Sequence, residues 1–323
     1  MHNAQLPKEV KQAVLFGPKL IALSGYLKGR CHMSYTTMQS FFSDALQICV
    51  SRGFLAKQVH KASLSLSKPY EELASRLPQE GYIRIDETGG KENGERRWTW
   101  CFRPLEFTVF CISPSRGSKV LEDHLGKDYE GTISCDFFGA YRKFARLSNA
   151  KLQLCWAHLI REVKFLAESS EKQVSDYGAG LLLEIGLMFK TIHRRGELLE
   201  RTWQRRMAGH QQSILQASRH KVPSDKAAAN LSKRFQDWQQ EYFGFIESGL
   251  EPTNNTAEQS IRRVVIDRKV TQGTRSDWGN RWLERFWSVC ATCEQKGKSV
   301  LQYMKSCVDS LVQGRAPPQI FDG

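Results

Sequence analysis

Between residues 16 and 66 apolar side chains recur at helical spacing in three runs, 16–27, 35–46 and 54–66. Ser34 and Ser51 stand where N-caps are needed, because a serine hydroxyl can accept the unpaired N–H groups of a first turn. The short link at 47–50 suits a helix-turn-helix, and a plain helical packing unit fits it equally well. At Gly81 the texture changes. Residues 82–85 alternate, are rich in β-formers and end on Asp86, with 89–94 reading as a turn. Strands are predicted at 97–102 and 107–112, a helix at 118–125, and a short buried-type strand at 132–135 that ends on Asp136. A helix at 140–147, a strand at 152–155 and a helix at 157–168 follow.

That order is three meandering strands, then two strands reached through helical crossovers. It predicts an α/β protein with a mixed sheet flanked by helices, which is the element order of the ribonuclease H-like fold. From 177 to 246 the period is helical throughout, with Gly196, Gly209 and Pro223 as expected breaks. The chain then passes through Pro252, Thr253, Asn254, Asn255 and Thr256 into a helix reaching Val265, and ends in helices near 281–295 and 299–313. The expected organisation is a helical N-terminal region (1–80), the first part of a catalytic core (81–170), an all-helical insertion (171–250), and completion of the core with C-terminal helices (251–323).

Charge narrows the partners. Lys and Arg number 47 against 34 Asp and Glu, a net charge of +13. Such an excess attracts polyanions, and nucleic acid repays each neutralised phosphate with released counterions. A membrane surface would want a basic amphipathic helix or a lipid anchor, and the sequence has neither. Nor is a signal peptide expected, since Pro18 and Lys19 interrupt the first apolar stretch. Nine scattered cysteines without a secretory signal point to reduced thiols in a cytoplasm. Cys290 and Cys293 form a CxxC inside a predicted helix with no second pair, so packing of thiols is the better reading than zinc.

Two aspartates at predicted strand ends carry the chemistry. Ligands of open α/β sheets gather at the carboxyl ends of strands. In the ribonuclease H-like order the strands of Asp86 and Asp136 are neighbours, so their carboxylates would converge. Bare carboxylates held together repel, and a hard divalent cation such as Mg²⁺ or Mn²⁺ relieves the repulsion. Glu258 is the expected third ligand, in the first turn of its helix. The alternatives are ordinary ones: aspartates end strands by capping turns, and Asn255 as N-cap would make Glu258 part of a capping box. Arg262, Arg263, Arg268 and Lys269 crowd the same helix, as a DNA backbone would require. Trp278, between two glycines, could stack on an unpaired base or be buried among the last helices. Trp98, Trp100, Trp156, Trp282 and Trp287 are expected in the core.

Several stretches together resemble the insertion-sequence-66 family of DDE transposases. They are Asp86-Glu87-Thr88, Cys155-Trp156-Ala157-His158 with Arg161-Glu162, and the run from Asn254 through Asn255, Thr256, Ala257 and Glu258 to Arg262. Arg268-Lys269, Gly273-Thr274-Arg275-Ser276 and Gly279 continue the pattern, and Phe16-Gly17-Pro18 opens it. The resemblance implies a ribonuclease H-like core whose catalytic and metal-binding triad is Asp86, Asp136 and Glu258, holding two Mg²⁺ or Mn²⁺ ions. It implies near-site roles for His158, Arg161 and Asn255, and DNA contacts from Arg262, Arg263, Arg268, Lys269 and Arg275. For His158 a plain hydrogen-bonded residue at a strand-to-helix junction is the other reading.

The expected activity is cleavage and strand transfer of a bacterial insertion sequence, at the nucleoid. Expected partners are DNA (element ends and target), further copies of the chain on that DNA and, from the resemblance alone, accessory transposition proteins. No cysteine spacing before Asp86 matches the zinc-binding module usual in the family, so terminal-repeat recognition by such a module is not expected. A catalytically inactive DNA-binding relative and another ribonuclease H-like nuclease are the rival readings.

Overall fold

The computed structural model describes residues 16–321. The first fifteen residues of the predicted N-terminal region and the last two of the C-terminal one lie outside the described residues. The chain divides into two compact units, Met1–Tyr129 with Thr256–Gly323, and Glu130–Asn255.

In the first unit α1 (Pro18–Gly29), α2 (Tyr35–Leu46), α3 (Arg52–Ser65) and α4 (Ser67–Arg76) precede the strands. Proline at the first position of α1 wastes no hydrogen bond, because that N–H would have no helical partner. The Ser34 hydroxyl accepts the Thr37 N–H at 3.0 Å and that of Ser51 accepts the Phe54 N–H at 3.1 Å, so both predicted caps form.

Three antiparallel strands follow, β1 (Tyr82–Glu92), β2 (Glu95–Arg103) and β3 (Val109–Ser113). Here the sequence expectation needs correcting. Residues 89–94 are not a turn, and Asp86 does not close a strand: β1 runs six residues further, pairing Asp86 with Cys101 and Glu92 with Glu95. The turn is Asn93-Gly94 alone, with φ of 46° and 87°. Both residues left-handed is the two-residue hairpin geometry whose twist matches the flanking strands, and that match lets Gly89 and Gly90 stay in the ladder. The hairpin tip is tied to the 272–275 loop, where the Asn93 N–H donates to the Thr274 carbonyl at 3.0 Å. Gly273, at φ 82°, allows this approach, since a Cβ there would lie 2.6 Å from the Lys91 carbonyl oxygen.

After α5 (Lys119–Leu125), the unit is completed by α13 (Asn255–Thr271), α14 (Asp277–Gln295) and α15 (Val300–Val312). β3 is covered along its free edge by one polar stripe of α14. Glu284 accepts the Ile112 N–H at 2.7 Å, Ser288 that of Phe110 at 2.8 Å, and Thr292 that of Thr108 at 3.1 Å. Four-residue spacing puts all three acceptors on one helix face, and the covered edge cannot pair with another chain.

The second unit holds β4 (Thr132–Cys135) and β5 (Lys151–Leu154), parallel and in register Ile133 to Leu152, with α6 (Gly139–Leu147) between them. Then come α7 (Trp156–Ala167), α8 (Lys172–His193), α9 (Glu200–Arg219), α10 (Lys226–Asp237), α11 (Gln239–Phe243) and α12 (Phe245–Ser248). The stretch from α8 to α12 contains no strand. Gly196 and Pro223 fall in breaks as expected, but Gly209 lies inside α9. A solvated glycine costs a helix only about 1 kcal/mol, which twenty residues of packing absorb. With strands pairing antiparallel in one unit and parallel in the other, and helices throughout, the protein is of mixed α/β class.

Candidate active site

Asp86 sits in mid-strand, half-buried, and its Oδ1 accepts the Glu87 N–H at 3.0 Å. Strand alternation sends the next side chain to the opposite face. Glu87 is accordingly buried away from Asp86, its Oε1 held by Arg116 at 2.8–2.9 Å. The same guanidinium lies 4.5 Å from the Trp98 ring centroid, and Arg96 lies at 4.9 Å. Trp98, expected in the core, is thus half-exposed between two cations.

Asp136 follows β4 directly and is half-buried. Its Oδ1 accepts the Phe138 N–H at 2.8 Å, the capping turn that the ordinary reading of such an aspartate foresees. The turn is clamped from outside. Phe137 lies between two guanidinium groups, Arg142 at 4.1 Å and Arg234 at 4.2 Å from its ring centroid, and Arg234 is itself paired to Glu162 at 2.8 Å. Arg142 and Arg234 escaped the sequence reading. No local spacing links Phe137 to Arg234, and only the packing of α10 near the strand end brings them together.

The strongest organiser is Trp156. It is fully buried among Phe235, Tyr242 and Phe243, and its indole N–H donates to the Tyr242 carbonyl at 2.6 Å. Its backbone N–H donates to the Pro252 carbonyl at 2.9 Å, while Cys155 Sγ accepts the Asn254 N–H at 3.1 Å. Cys155-Trp156 therefore staples the 252–254 segment to the end of β5. His158, half-buried, and Arg161, exposed, lie on the first turns of α7.

Helix α13 begins at Asn255, which is exposed. The N-cap position therefore falls on the buried Asn254, one residue earlier than expected, and Glu258 lies one residue beyond the capping-box spacing. Glu258 itself is half-buried. The basic residues of this helix divide. Arg262 and Lys269 are exposed, as is Arg275 in the following loop. Arg263 is paired to Glu294. Arg268 folds back over Gly90 and donates to Thr88 Oγ1 at 3.2 Å, and burial lowers its pKa.

The CxxC thiols are both buried, and burial pushes Cys290 up to about 11 and Cys293 to about 12. They stay protonated and pack as small apolar groups. Trp278 is neither buried nor free, since it stacks on His60 with ring centroids 5.4 Å apart. No helix among the described residues is long and apolar enough to cross a membrane.

The family model of the IS66 transposases matches residues 13–281 of this chain. The chain belongs to the IS66 transposase family. No curated protein matches it. The matched span begins just before α1, ends in the first turns of α14, and includes Asp86, Asp136, His158, Glu258 and Arg275. Membership in a transposase family makes DNA the substrate class, in keeping with the basic charge balance.

Proposed function

We propose that the protein is a DDE transposase, with a ribonuclease H-like core, that cuts the ends of an insertion sequence and joins them to target DNA. Asp86, Asp136 and Glu258 act as one set. The observation that carries this is the family match across all three carboxylates, each half-buried just where β1, β4 or α13 can present it. Half-burial makes bare anionic charge costly while leaving an approach for solvent and substrate. Three carboxylates are hard oxygen donors, and so the set fits Mg²⁺ or Mn²⁺. Two such ions, when bound, supply activation of the attacking oxygen and neutralise charge on the phosphate.

The chain's own residues do the rest. Water attacks phosphorus at the element end, the bond to the 3′ oxygen breaks, and a 3′-hydroxyl is left. That hydroxyl then attacks a target phosphodiester and displaces its 3′ oxygen, so one phosphodiester forms as another breaks. No covalent bond to the protein is made. The clamp of Arg142 and Arg234 on Phe137 fixes the Asp136 turn, and the Trp156 staple fixes the 252–254 segment that precedes α13. His158 and Arg161 steady the phosphate, with Asn255 beside them, while Arg262, Lys269 and Arg275 hold the DNA backbone. Arg263 and Arg268 are already engaged within the protein, Arg263 on Glu294 of α14 and Arg268 on Thr88 of β1, and contribute by holding α13 in place.

The test is cleavage and joining of end-bearing DNA with Mg²⁺ or Mn²⁺. Asp86→Asn, Asp136→Asn and Glu258→Gln are each expected to lower cleavage by at least about 10³-fold with DNA affinity retained. Wild-type cleavage in any of the three would remove that residue from the set. Cutting without joining would identify a nuclease, and binding without either would identify an inactive relative.

A further inference from the structure

Within the first unit, the end of α1, the middle of α13, α14 and β3 enclose a cavity of about 290 Å³. Its walls are apolar: Phe110, Ile266, Phe286, Trp287 and Cys290. Phe110, Phe286, Trp287 and Cys290 are buried, while Ile266 stands at the open side. The wall is also firm. A Cβ at Gly29 would lie 2.5 Å from the Phe286 ring, so the backbone of α1 already bears on it. A preformed apolar cavity of this size suits a small molecule, given a few polar groups to orient it.

Those groups gather at the mouth. Arg30 and Arg263 both line the cavity, and both are paired to Glu294, Arg30 at 2.9 Å. Glu294 stands one turn beyond Cys290, with its Oε1 3.9 Å from the Cys290 sulfur. Two guanidinium groups thus converge on one carboxylate, and one positive charge of the three groups is left over. His32 lines the same cavity. Its Nδ1 lies 2.6 Å from Oδ1 of the buried Asp267, which fixes the ring and leaves Nε2 for the cavity. The His32 backbone has a φ of 54°, a left-handed conformation that residues other than glycine seldom adopt and that clusters at ligand sites.

The lining selects the ligand. A nucleobase carries several polar edge atoms, and apolar walls would leave them unpaired, so the body that enters is hydrocarbon. Its head is a carboxyl group. Guanidinium takes a carboxylate in two parallel hydrogen bonds, and Glu294 shows that both arginines reach one. Nε2 of His32 can share a proton with an acid group, whichever of the two holds it. An amine head would meet two cations.

We propose that this cavity binds a small monocarboxylic acid, its apolar body inside and its carboxylate on Arg30, Arg263 and His32. Glu294 competes with the ligand for the same guanidinium groups. The site contains none of Asp86, Asp136 and Glu258, and binding needs neither DNA nor metal, so its failure and the failure of the transposase reading are separate results.

The experiment is isothermal titration of the full chain with octanoate at low salt. The expected dissociation constant is about 0.1–1 mM, with octylamine and deoxyadenosine monophosphate each at least about thirtyfold weaker. Arg263→Gln is expected to weaken octanoate about tenfold and His32→Gln about fivefold. Glu294→Gln is expected to tighten it about tenfold, because the competing carboxylate is gone. A mouth that served only to hold α13 on α14 would give no such gain. Ala291→Phe places a ring in the cavity and is expected to abolish binding. Overpacking can also unfold a protein, and the variants at the mouth decide the matter without it. A wild type that does not bind octanoate overturns the proposal. So does affinity indifferent to both Glu294→Gln and Arg263→Gln, or octylamine or the nucleotide binding as tightly as octanoate.

Discussion

Glu284 is 2% exposed, with one carboxylate oxygen on the Ile112 N–H at 2.7 Å and the other on Arg281 at 2.8 Å. Burial raises its pKa above the ordinary value of 4.5, although Ile112 and Arg281 pull the other way. The folded state thus holds this proton to higher pH than the unfolded chain does. The associated stability is complete below 4.5 and is lost as pH rises through the raised folded value. Glutamine keeps an acceptor for Ile112 and does not titrate. The stability of the wild type relative to Glu284→Gln is therefore expected to fall as pH rises from below 4.5 through the raised folded value. Calorimetric melts of both proteins across that range check this, and a constant difference would refute it. Nothing in the sequence marks Glu284 as buried, because it stands among Arg281 and Arg285 like any solvated helix charge.

At the scale of elements, the edge of β3 is finished by side chains of another element. Ser288 is fully buried, donates to the Glu284 carbonyl at 2.6 Å and accepts from Phe110. Removing its hydroxyl strands a buried N–H. Ser288→Ala is expected to cost about 1–3 kcal/mol, read from urea unfolding with an unchanged m-value; a loss under about 0.5 kcal/mol would mean that the strand edge is satisfied otherwise. Element existence was mostly legible: two serine caps, five strands and the helices after Asp136 follow from period and capping chemistry. The error at β1 has a definite cause. Gly89 and Gly90 look like a turn by composition, but a turn is chosen by the backbone that closes it, and Asn93-Gly94 closes it better. Asp86 accordingly has a longer strand beyond it than its sequence neighbours suggest.

For the molecule as a whole the net charge of +13 is the leading property. Arg262, Lys269 and Arg275 are exposed and so can reach phosphates, while Arg263 and Arg268 are engaged elsewhere. Affinity for a DNA duplex is expected to fall about 10³-fold between roughly 50 and 200 mM salt if some six phosphates are contacted. Arg262→Ala with Lys269→Ala should lower the slope of log affinity against log salt by about two, measured by fluorescence anisotropy. An unchanged slope would place the DNA on another face.

Charge, the reduced cysteines, the strand and helix periods, and the motifs around Asp86, Trp156 and Glu258 are properties of neighbouring residues or of the sum over the chain. The sequence alone therefore determined the mixed α/β class and the transposase family. What the tertiary structure decided involves partners distant along the chain. It decided that Arg116 holds Glu87, that Arg234 clamps the turn of Asp136, that Trp156 ties the approach to α13, and that α14 seals β3. Pattern fixes which way a side chain points from its own element. What it meets there depends on how the elements pack.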